Sequence, residues 1–500
     1  MSGGEGYVFD IAYRAGFNSG SVLGSILTEW QANGRTGFDL DGSFTVLDLG
    51  CGRGLTLTVL AAAFPNGRFV GIDLNPHHIA EASARARRLG LHNLSFRQGS
   101  FSSPDVAGVE MVEVAIAQGI YSWVSAEDQA LLLDFLAQSI RPGGIIQMSY
   151  NLEPGFAQMR PVRDLFLQLI QSSDLPPAIA REHALDVIVQ LLANQAPFFA
   201  ANPEARENVR HWTVEQLDYL SHEFLNQNWH LNSFSQVAQR MSELGLQFAG
   251  TPLSQREDGQ VWADGVGSGL NLPTQEDLAA FALAASFRND LYSDEAPTGQ
   301  MCIPNEAVFG PFCPPDLPAV QPHISGDHLA AKIAAACYVQ PRSWSKLVQM
   351  FPEAEKKQIA SALVGAIRQR LITRYITDAR INPQNSSGEF IFASQLSREV
   401  VDDAELAKSM QYFPSQAFGG AVAVPPAVSQ AFAALIDTSS FADAVTELQA
   451  RMVRILGMAT PPKLAHVEKT LTDAQNIWVP HLLKAGVLVQ KSNDPAAPCS

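Results

Sequence analysis

The sequence predicts an α/β fold: an open, mostly parallel sheet wound on both sides by helices, confined to the first third of 500 residues. Three observations predict it. Apolar strand-like runs alternate with helical stretches from residue 44 to residue 151. The first run ends in a glycine-rich turn leading straight into a helix. After Pro154-Gly155 the strand signal stops and helical periodicity takes over. Alternation of this kind implies parallel strands joined by crossover helices, a Rossmann-like arrangement.

The elements follow in order. FTVLDLG (44–50) reads as a buried strand and 54–63 as a helix ended near Pro65. RFVGIDL (68–74) is the second strand. Asn75-Pro76 then supplies an N-cap and a first-turn proline for a helix running to Gly90, a C′ glycine. LSFRQGS (94–100) and VEVAIAQ (112–118) are strands three and four. Ser125 caps a helix over 126–140, and IIQMSYN (145–151) is strand five. Residues 157–225 are predominantly helical. SFSQVAQRMSELGLQFAG (233–250) reads as an amphipathic helix followed by a short strand. Its delay after strand five marks 157–225 as a helical insertion over the strand C-termini, placed to act as a lid or a dimerisation element. The predicted organisation is 1–156 plus 226–256 as the sheet domain, 157–225 as the insertion, 257–325 ending in a Pro-rich linker, and 326–500 as mainly helical, winged-helix-like modules. LITRYIT and AGVLVQK supply short strands in that last part.

Composition narrows the function. A net charge of −16 argues against a nucleic-acid backbone as the main partner. Cysteines at 51, 302, 313, 337 and 499 form no CxxC pair and gather no histidines at zinc spacing, so free thiols and no metal are expected. With no leader-like N-terminus and no apolar run long enough to span a bilayer, a cytoplasmic location without membrane insertion is expected.

The chemistry concentrates in VLDLGCGRG (46–54). Gly50, Gly52 and Gly54 sit where strand turns into helix and let backbone approach a ligand. Leu55 stands where a dinucleotide fingerprint requires its last glycine. Asp48, two residues before Gly50, would repel a pyrophosphate and suits a ligand bearing an ammonium. Asp73, ending strand two, is placed to accept ribose hydroxyls. Together these point to S-adenosylmethionine. Ser100 and Phe101, ending strand three, fall where adenine contacts are expected. The expected cofactor set is Asp48, Gly50, Cys51, Gly52, Gly54, Asp73, Leu74, Ser100, Phe101 and Gly119, to which the family resemblance given below adds Tyr13 and Gln118.

Strands four and five end in AQGIYSWV (117–124) and SYNLEPGF (149–156), which carry Gln118, Tyr121, Trp123, Tyr150, Asn151 and Glu153 toward the same edge. Methyl transfer is an in-line displacement that needs alignment, and a base only when the nucleophile arrives protonated. Tyr121 or Glu153 is the expected base, and Asn151 the group that orients an amine. His222-Glu223 lacks the i, i+4 spacing of a zinc pair and reads as a packed histidine beside a surface glutamate.

Six stretches carry a resemblance: YVFDIAYRAGF (7–17), DLGCGRG (48–54), GIDLNPHHI (71–79), QGIYSWV (118–124), SYNLEPGF (149–156) and SHEFLN (221–226), thinning to SFRNDLY (286–292). In these the chain resembles bacterial class I S-adenosylmethionine methyltransferases that carry a methyltransferase regulatory domain. The resemblance makes 257–325 a regulatory-type segment and implies that the Tyr13 stretch closes over the cofactor. Gln118 stands where the family has His and Phe156 where it has Trp. The resemblance extends to enzymes that methylate lysines of an outer-membrane protein and look like dimers. It implies a protein lysine amine as methyl acceptor and a homodimer. A small-molecule or glycan O-methyltransferase and a non-catalytic cofactor-binding scaffold are the alternatives. A wide cavity with acidic groups favours the first reading, a closed apolar pocket the second, and Gln118 the third.

Overall fold

The computed structural model describes residues 13, 16–100, 110–214, 217–251, 269–311, 328–339, 341–368, 371–375, 390–392, 395–402, 411–415, 420–458, 460–479, 482 and 488–490. Helix α1 (Leu23–Ala32) precedes β1 (Phe44–Leu49), α2 (Leu55–Ala63), β2 (Gly67–Asp73), α3 (Pro76–Arg88), β3 (Leu94–Gln98), β4 (Val112–Ala117), α4 (Ala126–Ser139) and β5 (Ile140–Asn151). Asn75 caps α3 by accepting from the His77 amide, with Pro76 in the first turn, and Ser125 caps α4 by accepting from Asp128. These caps satisfy amides that a helix start leaves without partners.

The chain then forms α5 (Arg160–Gln171), α6 (Pro177–Ala193), α7 (Pro197–Ala201), α8 (Pro203–Arg210) and α9 (Leu217–Phe224). α10 (Phe234–Glu243), β6 (Gln247–Gly250), α11 (Leu272–Ala282) and β7 (Phe287–Ser293) complete the domain. The sheet order is β3-β2-β1-β4-β5-β7-β6. The first five strands run parallel and β7 runs antiparallel to both neighbours. The predicted division closed this sheet at residue 256. The structure corrects that boundary, because Phe287–Ser293 lies inside the sheet, hydrogen-bonded to β5 on one side and β6 on the other.

Two cores cover the two faces. One joins Leu47, Leu49, Val70, Met148 and Tyr292 to α4 and α10 through Leu132, Leu136, Val237 and Met241. The other joins Val46, Phe69, Val114 and Ile116 to α1 and α2 through Trp30, Leu57 and Leu60. Each cluster is contiguous apolar surface removed from water, the main driving force for assembling the layers. The insertion α5–α9 has its own core of Phe166, Ile188, Phe199, Trp212 and Phe224, against which Trp123 and Phe156 pack from the sheet edge.

Two smaller units follow. β8 (Val308–Pro311) lies within the expected Pro-rich linker and forms the middle of a sheet with β9 (Arg342–Ser343) and β10 (Ile372–Tyr375). With α12 (Leu329–Val339), α13 (Trp344–Met350) and α14 (Lys356–Arg368), this makes a unit of three helices and three strands whose middle strand comes from before the first helix. The second unit packs Phe413, Val424, Phe432, Leu448 and Trp478 into a core that also takes in Leu55 and Val59 of α2.

Candidate active site

The site lies where β1 and β4 sit side by side and their following helices leave toward opposite faces of the sheet. An open α/β sheet offers a ligand crevice at that point. The loop after β1 turns through Gly50, Gly52 and Gly54 with φ of +68°, +54° and +71°. A Cβ on Gly54 would stand 2.5 Å from the Phe96 ring and 2.8 Å from Ala82, so only glycine fits there. Gly50 and Cys51 donate to the Ile72 carbonyl at 2.7 and 3.1 Å, and Gly52 donates to Asp73 Oδ2 at 2.8 Å. Asp73 Oδ1 accepts from the Asn75 amide at 2.8 Å and lies 3.2 Å from His78 Nδ1. The acid expected to bind a ligand is thus also the acid that shapes the loop.

The crevice has two joined lobes. One, of about 210 Å³, is lined by Ile72, Asp73, Leu74, His78, Gly99 and Ser100. The other, of about 550 Å³, runs from Asp48 and the glycine loop to Asn151, Phe156 and Phe287. Tyr13, Gly50, Gly52, Gln118, Gly119, Trp123 and Glu223 line both. The volumes suit a small ligand with space beside it for a second reactant. Of the residues expected at the cofactor, Asp48, Cys51 and Gly54 line the larger lobe, Leu74 and Ser100 the smaller. Phe101 lies outside the described residues. Tyr13 sits edge-on to His222, with ring centroids 5.1 Å apart, which brings the segment before α1 onto the insertion across the crevice.

The expected catalytic set needs correction. Tyr121 does not line the crevice. The short 3-10 turn Tyr121–Trp123 directs it into the core, where it is fully buried and its hydroxyl accepts from Arg240. Trp123, two residues on, faces the crevice instead. Glu153 is exposed on the turn after β5 and lines neither lobe. Asn151 is in place: it lines the larger lobe, and its buried Nδ2 has no partner among the described residues.

Three groups expected elsewhere or not at all complete the wall. Glu223 is not a surface residue; α9 carries it into the crevice, where Tyr219 hydrogen-bonds it and burial pushes its carboxyl up to about 7. Asn289 on β7 accepts from Gln118 Nε2 at 2.7 Å and keeps a buried, unpartnered Nδ2. Ser21 contributes a buried hydroxyl, likewise unpartnered among the described residues. Asp48 is pushed up to about 8, first by burial and then by the Asp73 charge. Burial raises the Cys51 thiol too, helped by the charges of Asp48 and then Asp73. Nearby Arg53 is held by Glu81 at 2.8 Å. Each lobe of the crevice therefore carries one of two crowded acids, Asp48 in the larger and Asp73 in the smaller, with unused hydrogen-bonding groups beside it. Such a crevice rejects phosphates and fits a ligand bearing an ammonium and hydroxyls. Among the described residues no acid, histidine or cysteine cluster fit for a metal occurs, and no helix is long and apolar enough to cross a membrane.

Comparison with known proteins places this geometry. Residues 40–173 match the methyltransferase-domain family model, and 216–293 match a predicted methyltransferase regulatory domain. The chain is 31% identical over 251 residues to the uncharacterized protein sll1526 of Synechocystis sp., covering 50% of each. It is 33% identical over 124 residues to the trans-aconitate 2-methyltransferase of Azoarcus sp., covering 24% of this chain and 46% of that one. The chain spans about half the length of the curated relatives it matches. Its fold is that of PKMT2 from Rickettsia typhi in complex with AdoHcy, with a TM-score of 0.67 at 15% identity over 95% of this chain and 99% of that one. The segment matched as regulatory supplies Tyr219, Glu223 and Asn289 to the crevice.

Proposed function

We propose that this chain, which belongs to the S-adenosylmethionine-dependent methyltransferases through residues 40–173, transfers a methyl group to a lysine amine of a protein. The observation that carries the acceptor is Glu223. Its carboxyl faces the lobe beside Tyr13, Trp123, Phe156 and Tyr219. Aromatic walls with a carboxylate between them suit the apolar stem and cationic head of lysine. Phe287, half-exposed at the edge of the same lobe, leaves it open to a chain segment rather than closed around a small apolar molecule. The full-length likeness to PKMT2 agrees with this reading.

The residues divide the work as follows. Asp48 and the glycine loop hold the amino-acid end of S-adenosylmethionine, Asp73 takes a ribose hydroxyl, and Leu74 and Ser100 flank the base. Bound there, the cofactor supplies an electrophilic methyl group on a sulfonium. Glu223, titrating near neutrality, takes the proton that a lysine ammonium must lose. Asn151, lining the same lobe, orients the freed amine by accepting one of its N–H groups at Oδ1, which leaves the amine lone pair free to attack. Gln118 is tied to Asn289 and acts by hydrogen bonding, so the histidine it replaces is not required as a base. The reading includes a cytoplasmic homodimer joined through the insertion, whose surface exposes Leu175 between α5 and α6 and Ile179 and Leu191 on α6, and sedimentation equilibrium measures that state directly. The free thiols of Cys51, Cys302 and Cys337 fit a reducing compartment.

Incubation with methyl-labelled cofactor and a lysate of the source organism tests the acceptor. Label recovered as methyl-lysine after acid hydrolysis of protein is the expected result. Label confined to glycan or small-molecule fractions overturns the lysine assignment, and cofactor binding without any transfer overturns the enzyme reading.

A further inference from the structure

The ribose of an adenosine ligand carries two adjacent hydroxyl donors, and a single carboxylate offers about four lone-pair directions. Asp73 already faces three protein donors: the Gly52 amide at 2.8 Å, the Asn75 amide at 2.8 Å and His78 Nδ1 at 3.2 Å. One direction is left for one hydroxyl. The second hydroxyl needs another acceptor beside Asp73.

His78 is placed to be that acceptor. It lies in the first turn of α3, started by Asn75 and Pro76, and its side chain is 3% exposed. It lines the same small lobe as Asp73. Because a carboxylate only accepts, Nδ1 carries the proton it shares with Asp73, and in the tautomer with that proton alone the ring presents a lone pair at Nε2. That nitrogen is buried and has no partner among the described residues. A buried acceptor left unpaired costs free energy that a ligand hydroxyl removes.

We propose that His78 is a cofactor-binding residue that shares the ribose diol with Asp73, accepting one hydroxyl at Nε2 while its Nδ1–H holds the Asp73 carboxylate in place. This rests on the cofactor assignment and not on the identity of the methyl acceptor.

The test measures affinity for S-adenosylhomocysteine by calorimetry, with the 2′-deoxy and 3′-deoxy analogues beside it. His78→Phe keeps a ring of similar shape and removes both nitrogens. His78→Gln keeps a polar atom near the Nε2 position and guards against a ring that fails to pack. The expected result is about a tenfold loss of affinity in H78F, with partial recovery in H78Q and unchanged melting temperatures. With the analogue lacking the hydroxyl that His78 takes, native protein and H78F should bind within about twofold of each other. H78F affinity within about twofold of native for S-adenosylhomocysteine overturns the proposal. So does an equal loss for the parent ligand and both analogues, which is the signature of packing alone. Failure of the unaltered protein to bind S-adenosylhomocysteine overturns this proposal and the functional reading together.

Discussion

The role proposed for Asp48 at the ammonium of the cofactor makes affinity depend on pH in a way that can be worked out beforehand. Its carboxyl is pushed up to about 8 by burial and by the neighbouring Asp73 charge. At pH 7 it is therefore protonated in about nine molecules of ten. A ligand ammonium requires the charged form, so binding at pH 7 bears an ionisation cost of about 1.4 kcal/mol, a factor of about ten in affinity. Affinity for S-adenosylhomocysteine should rise about tenfold per unit from pH 6 to 8 and then level off. Calorimetry at pH 7 in buffers of different ionisation enthalpy should show close to one proton released per ligand bound. Asp48→Asn should flatten the acidic limb and weaken binding at pH 8 by about 10- to 150-fold, the worth of a charge-assisted hydrogen bond of about 1.5–3 kcal/mol. 5′-Methylthioadenosine has no amino-acid end and should show no acidic limb in either protein. Affinity independent of pH from 6 to 8 with no proton release would refute the reasoning, as would an equal slope for methylthioadenosine.

The same carboxyls set the stability of the ligand-free protein. The folded state of Asp48 keeps its proton up to about 8, whereas the unfolded chain loses it near 3.8, and for Glu223 the two values are about 7 and 4.5. Between those limits the folded form binds more protons, so stability falls as pH rises, and melting temperatures from pH 5 to 8 should decline in native protein and less steeply in D48N. Glu223→Gln should lower turnover on the protein acceptor by about 10²-fold near neutral pH, with S-adenosylhomocysteine affinity within about threefold of native and the deficit shrinking as lysine itself deprotonates at alkaline pH. Gly54→Ala would set a Cβ 2.5 Å from Phe96 in left-handed backbone, so its melting temperature should fall measurably. Phe413→Ala, emptying a fully buried site in the core that also holds Leu55 and Val59, should destabilise that unit by about 3–5 kcal/mol, read as an earlier thermal transition.

Strands β1 to β5 were legible because each is an apolar run bounded by turn residues, and the caps at Asn75 and Ser125 because their chemistry is local. β7 was not, for a physical reason. It buries Arg288 and Asp290 inside a sheet, and their charge hides the strand from a reading by apolar pattern. The structure pays them back with each other, with Glu276 at 3.0 Å and with the Tyr150 hydroxyl at 2.6 Å. No pattern of apolar residues could report that pairing. Glu223 was misread for a related reason. It lies off the apolar face of α9, which sequence equates with solvent, but in the fold that face meets the crevice. Tyr121 and Trp123 show the limit of placing residues at strand ends. One 3-10 turn decides which ring enters the core and which faces the ligand.

The segment matched as regulatory is part of the catalytic domain's own architecture. β7 separates β5 from β6 in the sheet, so removing it would make β5 an edge strand and leave Ser149, Tyr150 and Asn151 without their strand partner at the larger lobe. The Arg288–Asp290 pair anchors Tyr150 from beneath, and Asn289 between them reaches Gln118 at the end of β4. A shift of β7 by one residue would exchange the faces of all three, taking Asn289 out of the crevice and Arg288 away from its acids. Any control exerted through this segment must therefore act by small changes of register or packing within the sheet, not by undocking a separate domain. On the proposed assignment, such a change would alter the cofactor end through Gln118 and the acceptor end through Asn151 together, so the two affinities should move in step.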